Sequence, residues 1–304
     1  MSARQDVRDF YDRVGWREVA AGVYQNARYE DLRPVSREYI RRCHLRVGRH
    51  LAGSGEFLLD AGCGPIQYPE YLAYSLGYRG RVCADLSITA LQEARRKIGE
   101  HGRFVVADIA RLPFKRDAFD GVVSLHTIHH LPLAEHARAY ADIHRVLKIG
   151  RTAVVVNGWS RSPLMDGFRW FSRRRRTLWR WLQDRRGRLT GRSDRRSARS
   201  DPAAAQIADD EPEDPVRQST FVEKHDPAWF NRAIAPHFET RILVWRSASV
   251  HFLKNYIFER LGGRLILRLL YRLEETFPHF FGMYGTYPLI VFSKTSPSGR
   301  QDRG

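Results

Sequence analysis

Cysteine and lysine are both scarce in this chain. Its 304 residues hold three cysteines, Cys43, Cys63 and Cys83, with no Cys-x-x-Cys pair among them. That leaves neither a disulfide framework nor a thiolate zinc site to expect, and it fits a reducing cytoplasm. Long apolar runs are missing too. No uncharged stretch approaches the roughly 18–20 residues that a spanning helix needs, so the chain is expected to be soluble or at most peripheral to a membrane. The opening residues, Met-Ser-Ala-Arg-Gln-Asp-Val-Arg-Asp, carry too much charge for a secretory signal. Only six of the 51 basic side chains are lysine, an imbalance that reads as codon bias as much as function.

The net charge of +17 invites a nucleic-acid reading, but it is unevenly placed. Residues 161–200 hold 14 arginines against three aspartates, and residues 201–215 hold six acids and no base. Runs this polar are usually solvated or disordered, so about 190–218 is expected to be a disordered linker. The stretch before it, 164–183, interleaves aromatics with arginine. Phe168, Phe171, Leu178 and Leu182 fall near one helical stripe, with Trp179 beside it. Packing on the domain or forming a lid over substrate is the first reading. Peripheral contact with an anionic membrane comes second, and nucleic acid last.

Chemistry concentrates elsewhere. Phe57-Leu58-Leu59-Asp60-Ala61-Gly62-Cys63-Gly64-Pro65 is an apolar run ending in an acid and a glycine-spaced turn. It reads as a buried strand feeding a tight loop. Glycines at alternate positions let the backbone approach a ligand that a Cβ would hold off. Four more short runs follow, over residues 81–87, 103–109, 119–125 and 152–157. Helical patterns separate most of them, notably 88–98 and 134–148, with Gly150 read as the cap of the second. Alternating strand and helix implies a mostly parallel α/β sheet covered on both faces. Asp60, Asp85 and Asp108 then stand at the carboxyl ends of three strands, on the edge where such sheets bind ligands.

These residues resemble the class I S-adenosylmethionine-dependent methyltransferases, in particular the small-molecule (methyltransferase type 11-like) branch. The resemblance covers roughly residues 55–157 and a matching final hairpin. It extends to Leu112-Pro113-Phe114, to Phe119-Asp120-Gly121-Val122-Val123 and to His129-His130-Leu131-Pro132. It implies a Rossmann-like, doubly wound sheet of seven strands with the last antiparallel, and helical insertions at the ligand edge. The Asp60-Ala61-Gly62-Cys63-Gly64 loop would cradle the methionine part of S-adenosyl-L-methionine, with Asp60 near its amino group. Asp85 would accept from the ribose hydroxyls and Asp108 from the adenine amino group. Leu86, Ile109 and Leu125 would complete the cofactor site. The chain departs from the family where a third glycine often stands, at Ile66. A nicotinamide enzyme is the rival, but its Gly-x-Gly-x-x-Gly pattern meets Gln67 at the third place.

The acceptor side is less marked. His130, His129 and His126 follow the fourth strand and are the candidate general bases, since imidazole takes a proton near neutrality. A helix cap or packing against the cofactor is the plainer role for each. Residues 226–235 read as a helix capped by Asp226, and 240–246 and 286–293 as the last two strands. The excursion 248–285, with Phe252, Tyr256, Ile257, Leu261, Leu265, Ile266, Leu269 and Leu270, reads as an amphipathic helical pattern whose apolar stripe packs inward or, paired with the Trp-rich segment, lines an apolar substrate pocket. The expected organisation is a helical cap (1–50), the cofactor-binding core (51–157), the basic insertion (158–225), the rest of the core (226–295) and a disordered tail (296–304); by analogy with the family, the aromatic residues of 5–29 (Tyr11, Trp16, Tyr24 and Tyr29) would cover the cofactor. No metal site is expected. The predicted function is methyl transfer to a small-molecule acceptor, apolar or lipid-like. The alternatives are a nucleic-acid methyltransferase using the arginine block and a non-catalytic cofactor-binding module.

Overall fold

The computed structural model describes residues 3–16, 18–20, 23–24, 30–170 and 221–296. The chain divides into one compact unit built from residues 1–165 and 220–304 and a second from 166–219. Residues 163–170 are helical. The rest of the aromatic and arginine-rich stretch, the linker reading over 190–218 and the tail beyond 296 lie outside the described residues.

Seven strands form the sheet of the larger unit: β1 (Gly55–Ala61), β2 (Tyr78–Asp85), β3 (Gly102–Val106), β4 (Phe119–Leu125), β5 (Leu147–Val156), β6 (Glu239–Arg246) and β7 (Tyr287–Ser293). Their order is β3-β2-β1-β4-β5-β7-β6. Six strands run in one direction, and β7 lies antiparallel between β5 and β6. The order reverses beside β1, so the loops after β1 and β4 open a crevice at the carboxyl edge. The eight labelled helices are α1 (Ala3–Phe10), α2 (Pro34–Arg46), α3 (Ile88–Ile98), α4 (Leu133–Val146), α5 (Pro227–Ala233), α6 (Val250–Tyr256), α7 (Gly263–Thr276) and α8 (Pro278–Tyr284).

The apolar strands are buried on both faces because successive side chains alternate across the sheet. Leu58, Val123, Val154 and Val291 face a core shared with Tyr39 and Cys43 of α2 and Leu267 and Tyr271 of α7. Leu59, Val122, Val155 and Ile290 face the other core, shared with Tyr140 and Ile143 of α4 and Phe230 of α5. Each such side chain contributes about 1.5–3 kcal/mol through burial. Local signals agree with the packing. Ser87 caps α3 by accepting from Ala90 N at 3.0 Å. Asp226 caps α5 by accepting from Trp229 N at 2.7 Å, with Pro227 in the first helical position.

Two expectations need correction. Gly150 is not a helix cap: α4 ends at Val146 and the chain enters β5 directly. Gly150 instead bends that strand, with φ +78° where the register with β4 shifts between Phe119 and Gly121. The excursion 248–285 is also not one inward-packed helix. Gly262 (φ +72°) and Pro278 divide it, and the residues turned inward are Leu253, Ile257, Leu267 and Tyr271. Leu261, Leu265, Ile266 and Leu269 are exposed.

Candidate active site

The turn after β1 is built on left-handed backbone. Gly62 (φ +79°) donates its N–H to Ala84 O at 2.7 Å, which ties the turn to β2. A Cβ on Gly62 would lie 2.2 Å from Thr127 Cγ2. Thr127 cannot easily withdraw, because its hydroxyl is shared between Leu125 O at 3.0 Å and Gly62 O at 3.2 Å. Gly62→Ala is therefore expected to combine backbone strain with a steric clash and to lower stability by about 2–4 kcal/mol, measured as the shift in denaturant midpoint. A neutral result would mean that the turn is slack. Gly64 (φ +53°) donates to Asp85 Oδ2 at 2.9 Å. Ile66 also adopts positive φ, +51°, although its side chain is β-branched. Complete burial and a hydrogen bond from Lys97 Nζ to its carbonyl (2.8 Å) hold it there.

The carboxylates at the strand ends have different surroundings. Asp60 is buried and receives Arg81, whose Nε donates at 3.1 Å and whose Nη2 completes a close ion pair. Arg81 Nη1 donates to Tyr71 O at 2.7 Å, so this pair braces the segment after the glycine loop. Asp85 has no cationic partner among the described residues. It accepts from Gly64 N through Oδ2 and from Ser87 N at 2.9 Å through Oδ1. Burial, with Asp60 and Asp12 nearby, pushes its pKa up to about 6 even though these two N–H groups favour the charged form. Asp108 lies two residues beyond the end of β3, where Oδ1 accepts from Ala110 N at 2.9 Å. Ala61, Cys63 and Ile109 are buried, while Leu86 and Leu125 keep partial exposure at the edge. Burial raises the Cys63 thiol well above its usual range, which makes it an unreactive wall.

The histidines sit across the crevice. His126 (φ +55°) donates its backbone N–H to Val156 O at 2.7 Å, and its ring meets Trp245 (4.8 Å between centroids) and Tyr287 (5.6 Å) edge-on. His130 Nδ1 faces Phe221 O at 2.9 Å and must donate there. Its Nε2 therefore accepts from the Tyr11 hydroxyl, 2.8 Å away. His129 Nδ1 faces Asn157 Oδ1 at 3.2 Å, which directs the Nε2 lone pair away from Asn157. Burial lowers all three pKa values: His126 to about 3, His130 to about 4 and His129 well below the usual range. All three are neutral at physiological pH.

Of the N-terminal aromatics expected to cover the cofactor, Tyr11 and Trp16 are described; Asp12, Arg246, Arg81 and Asn157 are contributors not legible as site residues in the sequence. Tyr11 and Trp16 stack at 4.8 Å, and Trp16 lies against Gly64, 3.1 Å from where a Cβ would stand. Asp12 accepts a short hydrogen bond from Ser87 Oγ. These contacts fasten the N-terminal segment to the ligand edge; the side chains of Tyr24 and Tyr29 lie outside the described residues. Arg246, at the end of β6, pairs with Glu30 and stands over the Trp245 and Tyr287 rings at 5.1 and 4.8 Å. Arg81 opens an apolar strand segment as a buried charge and Asn157 ends an apolar run; the Asn157 oddity could have marked it. Among the described residues, no group of three or more His, Cys, Asp or Glu stands ready to hold a metal ion.

Residues 59–155 match the family model described as "Methyltransferase domain". The malonyl-[acyl-carrier protein] O-methyltransferase of Legionella pneumophila is 30% identical over 123 residues, 40% of this chain and 42% of that one. The cycloartenol-C-24-methyltransferase 1 of Oryza sativa subsp. japonica is 34% identical over 107 residues, 33% of this chain and 30% of that one. The chain thus spans less than half the length of either relative. Among solved structures, the geranyl diphosphate C-methyltransferase of Streptomyces coelicolor A3(2) superposes with a TM-score of 0.54 at 14% identity. That match covers 97% of this chain and 99% of the other, and it shows the shared fold. From Leu59 to Val155, the core of this chain is thus similar in sequence to the methyltransferase-domain family, and its fold is the one seen in that solved methyltransferase.

Proposed function

We propose that this protein transfers a methyl group from S-adenosylmethionine to a small-molecule acceptor of apolar or lipid-like character. The observation that carries the reading is Asp85. It presents a carboxylate with no cationic partner among the described residues at the sheet edge, tied through Gly64 N to the left-handed glycine turn. Ribose hydroxyls are the donors that such an acceptor suits. Gly62 and Gly64 would hold the methionine portion, and Asp108, Leu86, Ile109 and Leu125 the adenine. Asp60 already carries the Arg81 charge, so its contribution there is to shape the loop and set local charge. Bound in this crevice, the cofactor supplies a methyl group on a sulfonium centre, whose departing thioether is neutral.

His129 is the proposed general base. It is neutral, Asn157 fixes its tautomer, and its Nε2 has no hydrogen-bond partner among the described residues. As the acceptor's oxygen or acidic carbon forms its bond to the methyl carbon, Nε2 takes the proton that atom releases. His130 is committed to Phe221 and Tyr11 and positions the N-terminal segment. His126 packs against Trp245 and Tyr287 and helps shape the acceptor side. His129→Gln is expected to lower kcat about 100-fold while cofactor affinity stays within about twofold, measured by single-turnover transfer and calorimetry. Unchanged kcat would remove the base.

The acceptor class is supported by the aromatic rings against His126, Trp245 and Tyr287, which suit apolar surface. Three free, buried cysteines suit the cytoplasm. Incubation with radiolabelled methyl donor and fractionated extract tests the reading, with label expected in organic-soluble or small-molecule fractions. Label in RNA, lost steeply as salt rises, would favour the nucleic-acid alternative. Cofactor binding without transfer to any fraction would leave a non-catalytic module.

A further inference from the structure

The amphipathic face of α7 is exposed. Leu261 is 72% exposed, Leu265 70%, Leu269 58% and Ile266 46%, with Leu273 continuing the same row. Phe277, Phe280 and Tyr284 extend apolar surface onto α8. Beside the row 265-269-273 runs a second one, Arg264, Arg268 and Arg272, at the same four-residue spacing. Arg268 and Arg272 form no ion pair among the described residues. The acids of α7 are spent elsewhere: Glu274 is buried against Tyr39, Arg46 and Ser247, and Glu275 pairs with Arg46 and Arg49. Arg264 pairs with Glu259 at 2.6 Å, so the outward face is leucine and isoleucine flanked by two uncompensated guanidinium groups, Arg268 and Arg272, among the described residues.

We infer that α7 and the start of α8 form a docking surface for an anionic lipid bilayer. A stripe of large apolar side chains bordered by arginine suits the boundary between acyl chains and negative headgroups. A protein partner would more often leave such a row mixed in charge, and contiguous exposed apolar surface of this extent marks a contact site. The opposite face is anchored firmly. Glu274 accepts from Tyr39 Oη (2.7 Å), Arg46 Nη1 (2.8 Å), Ser247 N (2.9 Å) and Ser247 Oγ (2.6 Å). The helix is thereby held rigidly against α2 and the end of β6, two residues from Trp245. This inference does not depend on which acceptor the enzyme methylates, although a surface-bound enzyme would meet a lipid-like one where it resides.

Flotation of the full chain with vesicles of phosphatidylcholine alone, or with about one-third phosphatidylglycerol, tests it. The chain should float with anionic vesicles, with less floating as salt rises, and remain free of neutral ones. Leu265→Ser with Leu269→Ser, and separately Arg268→Gln with Arg272→Gln, should each weaken vesicle binding about tenfold or more while thermal unfolding stays within about 2 °C, since all four positions are exposed. No flotation, or flotation that neither pair diminishes, would overturn the inference. So would a stable dimer in solution that the leucine pair dissociates, because the face would then be an interface between copies.

Discussion

Asp85→Asn is expected to weaken S-adenosylhomocysteine binding about 100-fold without lowering the stability of the unliganded protein. The carboxylate is the proposed acceptor for two ribose hydroxyls, and a hydrogen bond to a charged group contributes about 1.5–3 kcal/mol. Holding that charge in place is costly. Its pKa rises from 3.8 to about 6 on folding, chiefly through burial, an effect of roughly 3 kcal/mol. The group's folded value lies above its unfolded one, so the penalty is absent below about pH 4, grows between about pH 4 and 6, and is complete above that. Asparagine has no charge to bury but forfeits one of the bonds from Gly64 N and Ser87 N. The balance is a gain of about 1–2 kcal/mol, a rise in Tm of about 2–4 °C at pH 7.5 that disappears near pH 4. The parent protein should bind cofactor with constant affinity above about pH 7 and lose up to about tenfold per unit below pH 6, as Asp85 takes up a proton. Calorimetric titration across that range, beside scanning calorimetry of the variant, checks both halves. Parent-like affinity in Asp85→Asn would take this residue out of the site.

Arg81→Met is expected to destabilise the protein by about 3–5 kcal/mol. The guanidinium is buried among Asp60 and Tyr71 O. Methionine fills much of its volume and leaves both acceptors without a partner. Breaking a buried pair by removing one member is far more damaging than removing both. The double variant Asp60→Asn, Arg81→Met should therefore recover most of the loss. Urea unfolding of the parent, the single and the double variants closes that comparison. A single variant as stable as the parent, or a double no better than the single, would show that the pair does not brace the loop.

Much of this was legible in the sequence because strands buried on both faces are short apolar runs, and here the first two end in acids. Phe57 to Ala61 and Phe119 to Leu125 read directly as strands, and Asp85 falls at the end of β2. The Asp226-Pro227 cap was readable because its chemistry is local. What could not be read depends on residues far apart in sequence. Tyr11 meets His130 across 119 positions, and Glu30 meets Arg246 across 216. Gly150 shows the limit of local signals: a glycine just past a helical pattern fits a cap or a bend in a strand equally well, and pairing with β4 and β7 decides. In α7, periodicity told which residues share a face but not which way that face points. The inward role went to Leu267, Tyr271 and the buried Glu274 because two glutamate-bound arginines and a tyrosine on α2 and near it fix the helix by charge as well as by packing.

The central claim is that the glycine turn and Asp85 together hold a sulfonium nucleoside. Isothermal calorimetry of the folded chain with S-adenosylhomocysteine tests it most directly. Saturable heat corresponding to one site per chain, with affinity lowered about 100-fold by Asp85→Asn, is the predicted result. No heat with either S-adenosylhomocysteine or the methyl donor, alongside tight binding of a nicotinamide dinucleotide, would contradict it.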